Sequence, residues 1–90
     1  MPSYLVETYL PRARVRERAA SERRARSAAE ELTRNSTSVR FERSIHVPED
    51  ETCFYVFDAP SSRDAALAAQ SAELDAIRIV EAVWAEKEEL

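Results

Sequence analysis

One histidine and one cysteine are the residues of this 90-residue chain best suited to metal chemistry. Imidazole nitrogen and thiolate sulfur are both good ligands for nickel, zinc or copper. His46 and Cys53 flank Pro48-Glu49-Asp50-Glu51, a turn sequence between two runs that alternate as strands do. A hairpin closed over that turn pairs Val47 with Thr52 and sets His46 directly opposite Cys53. Opposed residues share a sheet face, with Cβ atoms about 4.5–5.5 Å apart. The same register sets Ser44 opposite Tyr55 and Glu42 opposite Phe57. With Val6 turned toward the helices, Glu7 and Tyr9 of the neighbouring strand are expected on this face too. Glu7, Tyr9, Glu42, Ser44, His46, Cys53 and Tyr55 would then floor a partly polar pocket. His46 and Cys53 are its candidate metal ligands, and Glu7, Tyr9, Ser44 and Tyr55 its candidate ligand-binding residues. The plainer reading is that Cys53 is a small buried hydrophobe and His46 a solvated residue beside a turn. Two ligands do not complete a structural zinc site, which takes four, so a twofold partner would have to supply the rest.

The other chemical motifs are weaker. Arg12, Arg14, Arg16, Arg18, Arg23, Arg24, Arg26 and Arg34 crowd one segment, but Glu17, Glu22, Glu30 and Glu31 are interleaved. Glu22 with Arg26 and Glu30 with Arg34 are spaced as i,i+4 pairs of the favourable order. A solvated, charge-laced helix is expected there. Aromatic residues that would stack on bases are absent from it, so no nucleic-acid partner is expected. The lone histidine has no triad pattern around it, and a chain with no glycine has no nucleophile elbow or phosphate-cradling loop. Glu7 and Glu42 could serve as bases only in a dry cleft.

These residues need elements to position them. Ser3–Leu10 alternates as a strand and stops at Pro11. Arg14 to about Arg34 is rich in helix formers, with a narrow stripe of Ala25, Ala28, Ala29 and Leu32 that lets it sit close to a sheet. Asn35 is expected to take the left-handed position at its end. Val39–Val47 and Thr52–Ala59 are the hairpin strands. Cys53-Phe54-Tyr55-Val56-Phe57 is apolar without a break, which marks a central strand buried on both faces. Ser61 and Asp64 open a helix over about Ser62–Leu74, and Ala76–Ala85 is the last strand. Strand, helix, strand, strand, helix, strand is the ferredoxin-like order, an α+β fold with two helices on one face of a four-stranded antiparallel sheet. The other face is left bare. Leu5, Tyr9, Tyr55 and Phe57 on it would make an apolar patch large enough to mark an interaction site. A homodimer of the dimeric α/β-barrel kind, sheet against sheet, is the expectation. A monomer whose C-terminal tail crosses the sheet is the alternative.

Composition bounds the rest. The length suits one domain spanning residues 1–90, with a thin core that pairing would enlarge. The net charge is −4, and Glu86-Lys87-Glu88-Glu89 is acidic. No apolar run reaches 18 residues, the opening residues do not read as a secretory signal, and the single cysteine suits a reducing compartment. No membrane partner and a cytoplasmic location are therefore expected.

The chain also resembles, over nearly its whole length, a bacterial family of small ferredoxin-like proteins, largely of unknown function and named after a nickel-binding member. Tyr4-Leu5-Val6-Glu7 with Pro11 looks like the family's opening strand, and Phe41, Ser44 and Ile45 fall at its aromatic, serine and aromatic-or-aliphatic positions. Phe54-Tyr55-Val56-Phe57-Asp58-Ala59-Pro60-Ser61 is similar to its strongest segment, and Ala72, Leu74, Ala76, Arg78-Ile79 and Val83 to its closing stretch. Members often carry a cysteine where this chain has Tyr55, a histidine at the position of Ala68, and Gly-Leu-Pro where it has Glu73-Leu74-Asp75. The resemblance implies a homodimer and a divalent metal such as nickel or zinc, with His46 standing in for the missing histidine. Residues and resemblance together lead to a homodimer that binds a divalent metal or small ligand on its sheet face. A cofactor-free enzyme of the dimeric α/β-barrel type, a monooxygenase or cyclase, and a purely structural interaction module are the alternatives.

Overall fold

The structure is a computed structural model that describes residues 1–85; the acidic stretch of residues 86–89 lies outside it. Four strands, β1 (Ser3–Tyr9), β2 (Arg40–Val47), β3 (Thr52–Asp58) and β4 (Ala76–Ala82), form one antiparallel sheet in the order β2-β3-β1-β4. Two helices, α1 (Arg18–Arg34) and α2 (Ser62–Ser71), join β1 to β2 and β3 to β4. A 3-10 turn over Arg12–Glu17 precedes α1, so the regular helix begins four residues later than its composition suggests.

Without glycine, strained turn positions fall to other residues. Ser36 (φ 78°), Glu51 (φ 49°) and Glu73 (φ 57°) adopt the left-handed conformation. Asn35, expected to take that role after α1, keeps φ −96°, and Ser36 takes it instead. Thr37 N–H then donates to Leu32 C=O at 2.8 Å, and Leu74 N–H to Ala69 C=O at 2.9 Å beyond Glu73. Both are the long closing bond of a Schellman end, which satisfies carbonyls the helix would otherwise leave unpaired. At the hairpin, Glu51 C=O accepts from Leu10 N–H at 2.7 Å, and its carboxylate accepts from Arg12 N–H at 2.8 Å. Those bonds hold the hairpin tip against the chain that leaves β1.

The hairpin register is as the turn sequence predicts at its closed end: Val47 pairs with Thr52, His46 with Cys53 and Ser44 with Tyr55. Further on, a bulge at Glu42 sets Phe41, not Glu42, opposite Phe57 and sets Arg43 opposite Val56. An extra residue inverts the alternation beyond it. Phe41 therefore shares a face with Ser44 and His46, while Arg43, Ile45 and Val47 share the other. Val39 stays outside the ladder because Thr33 takes its backbone: the Thr33 hydroxyl donates to Val39 C=O at 2.8 Å and accepts from Val39 N–H at 3.1 Å.

The central place expected of β3 holds. Cys53, Tyr55, Val56 and Phe57 are all buried. The core lies between sheet and helices: Tyr4, Val6, Phe41, Tyr55 and Phe57 from the sheet meet Ala25, Ala28, Ala29, Ala65, Ala68 and Ala69 from the helices. Alanine on both helices permits this close approach. Ser61 caps α2 by accepting from Asp64 N–H at 3.2 Å. α2 ends at Ser71 and β4 at Ala82, each a few residues earlier than their sequences suggest.

Candidate functional site

The register across the centre of the sheet decides which side chains can cooperate. β1 pairs with β3 so that Val6 faces Tyr55, Thr8 faces Cys53 and Tyr4 faces Phe57. Val6, Thr8 and Tyr4 point at the helices and are buried. Cys53, Tyr55 and Phe57 therefore lie on the helix face, and Ser44 and His46 with them. Glu7 and Tyr9 lie on the open face with Phe54 and Val56. The seven residues expected on one face are thus divided between two, and the expectation of Tyr55 and Phe57 on the bare face is corrected. Glu42 sits on the open-face side of its bulge, bonded to Arg40.

On the helix face the polar residues form a cluster with α1. Ser44 Oγ accepts from Arg18 Nε at 2.9 Å and donates to Glu22 Oε2 at 2.5 Å, and Arg18 Nη2 reaches Ser44 C=O at 3.3 Å. Glu22 is thereby engaged by the sheet; among the described residues no ion pair joins it to Arg26, nor Glu30 to Arg34. The sequence assigns Glu22 to Arg26 and Arg18 to a solvated helix, and nothing in their types or i,i+4 spacing points to Ser44 as the shared partner. Beside them, burial pushes the Cys53 thiol above its ordinary value, outweighing the Tyr55 and Ser44 hydroxyls and the Arg18 charge that favour the thiolate. Burial likewise drives the Tyr55 phenol up to about 12, against the nearby Ser21 hydroxyl that favours the phenolate. Both groups are neutral at physiological pH. Cys53 is therefore an inert interior thiol rather than an activated nucleophile.

His46 and Cys53 do face one another, but they stand without a full ligand set. Among the described residues, no three His, Cys, Asp or Glu side chains converge to hold a metal ion.

A second polar cluster closes the open face at the far end of β1. Trp84 Nε1 donates to Ser3 Oγ at 3.0 Å, and Ser3 Oγ donates to Asp58 Oδ1 at 2.7 Å. Arg40 bonds Asp58 Oδ2 at 3.1 Å and also bonds Glu42. Burial pushes the Asp58 carboxyl up, but its hydrogen bonds with Ser3 and Arg40 and the Arg40 charge favour the carboxylate, and it is held below its ordinary value. The sign follows. Asp58 stabilises the fold above about pH 4, and that contribution is lost as pH falls through its lower folded value. Asp58→Asn is expected to lower stability near neutrality by about 1–3 kcal/mol and to flatten the acid limb. Urea midpoints between pH 3 and 7 check this; an acid limb as steep in the variant would show that Asp58 does not carry it.

The rest of the open face is apolar at its centre. Leu5 stands opposite Val56 of β3 and Val80 of β4, and Phe54 of β3 stands opposite Ile45 of β2. Tyr9 is 59% exposed and Ile45 39%. Arg43 stands at the β2 edge opposite Val56, and the Glu7–Arg78 pair at 3.8 Å lies among the apolar residues, with Glu7 between Leu5 and Tyr9 and opposite Phe54.

Fold and register define a ferredoxin-like α+β domain with one sheet face covered by helices and one open. No family model matches the chain, and no curated protein does. Among solved structures, it is similar to SCO4226 from Streptomyces coelicolor A3(2), with a TM-score of 0.69 and 17% sequence identity over 93% of this chain and 99% of that one. At that identity the likeness carries the fold alone. No helix among the described residues is long and apolar enough to cross a membrane.

Proposed function

We propose that the protein works as a homodimeric binding module in which two copies pack open face to open face. One observation supports this above the others: Leu5, Tyr9, Ile45, Phe54 and Val80 stand on a face that no helix among the described residues covers, with Arg43 at its β2 edge and the Glu7–Arg78 pair set among them. Exposed apolar and aromatic side chains gathered on one face mark a surface that a protein partner covers. Four strands about 4.8 Å apart and some 23 Å long give the whole face, charged residues included, a footprint of roughly 400 Å². A symmetric dimer buries that area twice and thickens a core otherwise built on alanine. Sedimentation of the full chain is expected to give twice the 10.2 kDa of one copy at micromolar concentration. A mass of one chain at every concentration would remove the reading.

A divalent metal such as nickel or zinc is the second reading, favoured by His46 and Cys53 standing opposite each other. It requires the raised Cys53 thiol to ionise, so binding would release a proton and strengthen with pH. Titration calorimetry with nickel and zinc on the reduced protein is the test. This reading expects one ion per chain or per dimer, lost in both His46→Ala and Cys53→Ser. Heat no greater than that of scattered surface carboxylates would discard it and leave the dimer reading untouched.

A further inference from the structure

We propose that the groove between α1 and the β2 edge binds a small aromatic monocarboxylate. The groove has a volume of about 950 Å³ and lies beside neither His46 nor the centre of the open face. Pockets for small organic ligands span about 300–1,000 Å³ and combine an apolar floor with a few fixed polar groups. Ala29, Val39 and Phe41 supply the floor here.

The polar group is Arg26. Its guanidinium carbon lies 5.1 Å from the centre of the Phe41 ring. That ring is itself held by Phe57, at 5.4 Å between centroids, and by Tyr55 at 6.3 Å. A guanidinium stacked on a ring keeps its edge N–H donors free, and they match the two oxygens of a carboxylate. Among the described residues, no carboxylate lies within 4 Å of Arg26. Its neighbour one turn back, Glu22, is engaged by Ser44. Arg40 also lines the groove, but Asp58 and Glu42 already neutralise it. The unmet charge is therefore that of Arg26, with Arg34 on the same wall.

The same lining limits what the charge can take. Glu30 borders the groove without a salt-bridge partner among the described residues and repels a dianion such as a phosphate ester more than a monoanion. A neutral aromatic would cover the floor but gain nothing from the Arg26 charge. A planar ring with one carboxylate meets both demands, with the ring over Ala29 and Val39 and the carboxylate at the guanidinium edge. The open face stays free, so this site does not depend on how the dimer forms.

The probe is 2-naphthoate, titrated into the full chain by calorimetry beside 2-naphthamide and 2-naphthyl phosphate. Saturable binding at one per chain is expected, about tenfold weaker for the amide and for the phosphate. Arg26→Gln is expected to weaken the naphthoate about tenfold, and Arg34→Gln by a smaller factor. Arg63→Gln, on α2 and away from the groove, is expected to bind as the parent does. Arg26 is exposed, so its variant should fold, and an unchanged thermal melt verifies that. No saturable binding, an amide as tight as the acid, a phosphate tighter than it, or an Arg26→Gln protein that binds equally well would each overturn the proposal.

Discussion

Phe57→Ala is expected to cost about 3–5 kcal/mol, the largest loss for a single side chain in this domain. Phe57 is fully buried. It pairs with Tyr4 of β1 and Phe41 of β2, and its ring meets that of Phe41 at 5.4 Å and 55°. Tilted contacts of this kind add to what burial alone contributes. The residues facing it from the helices are mostly alanine, which have no long side chains to swing into a void. The cavity would therefore stay open, and the cost belongs at the upper end of the range. A small domain holds about 5–15 kcal/mol in all, so the variant should be partly unfolded at moderate temperature. Removing Phe57 also removes the support under the Phe41 ring on which Arg26 lies. Leu67→Ala is the contrast: Leu67 is 40% exposed on α2, and less than about 1 kcal/mol is expected. Urea unfolding of both variants checks the pair. A Phe57 variant within 1 kcal/mol of the parent would mean that the core is not organised around this ring.

The second large effect is on association. Tyr9→Glu combined with Ile45→Glu is expected to turn the proposed dimer into a monomer, with affinity reduced more than a hundredfold. Both side chains stand on the open face, and both are more than a third exposed in the single chain. A carboxylate there costs the isolated fold little, within about 0.5 kcal/mol. In a face-to-face dimer each substitution occurs twice about the symmetry axis, and each charge loses water without gaining a partner. About 3 kcal/mol or more against association follows, which is over a hundredfold in affinity. Sedimentation reports the mass and urea unfolding reports the fold. A double variant that still sediments as a dimer would place the interface elsewhere, for instance along the exposed β4 edge.

The sequence by itself determined the order of elements, the central place of β3 and the register of the closed end of the hairpin. The reasons are local. Pro11 and Pro60 stop strands, and the unbroken apolar run from Cys53 to Phe57 suits a strand in the interior of the sheet. The turn over Pro48–Glu51 fixes the pairing of His46 with Cys53 and Ser44 with Tyr55. What the sequence left open was the direction in which those pairs face. Tyr55 and Phe57 on one side of β3, and Phe54 and Val56 on the other, are equally apolar, so alternation has no preferred sign. The tertiary structure decided it by pairing Val6 with Tyr55 across β1 and β3, and by bonding Ser44 to Arg18 and Glu22 of α1. The bulge at Glu42 was invisible for a similar reason: it depends on one extra residue in the ladder, which no residue type there announces. The face chosen for β3 carried Ser44, His46, Cys53 and Tyr55 under the helices and left Glu7 and Tyr9 outside, while the bulge moved only Glu42 and Phe41. A one-residue choice of face, made by long-range packing, thus divided a single expected pocket into an interior polar cluster and an open apolar surface.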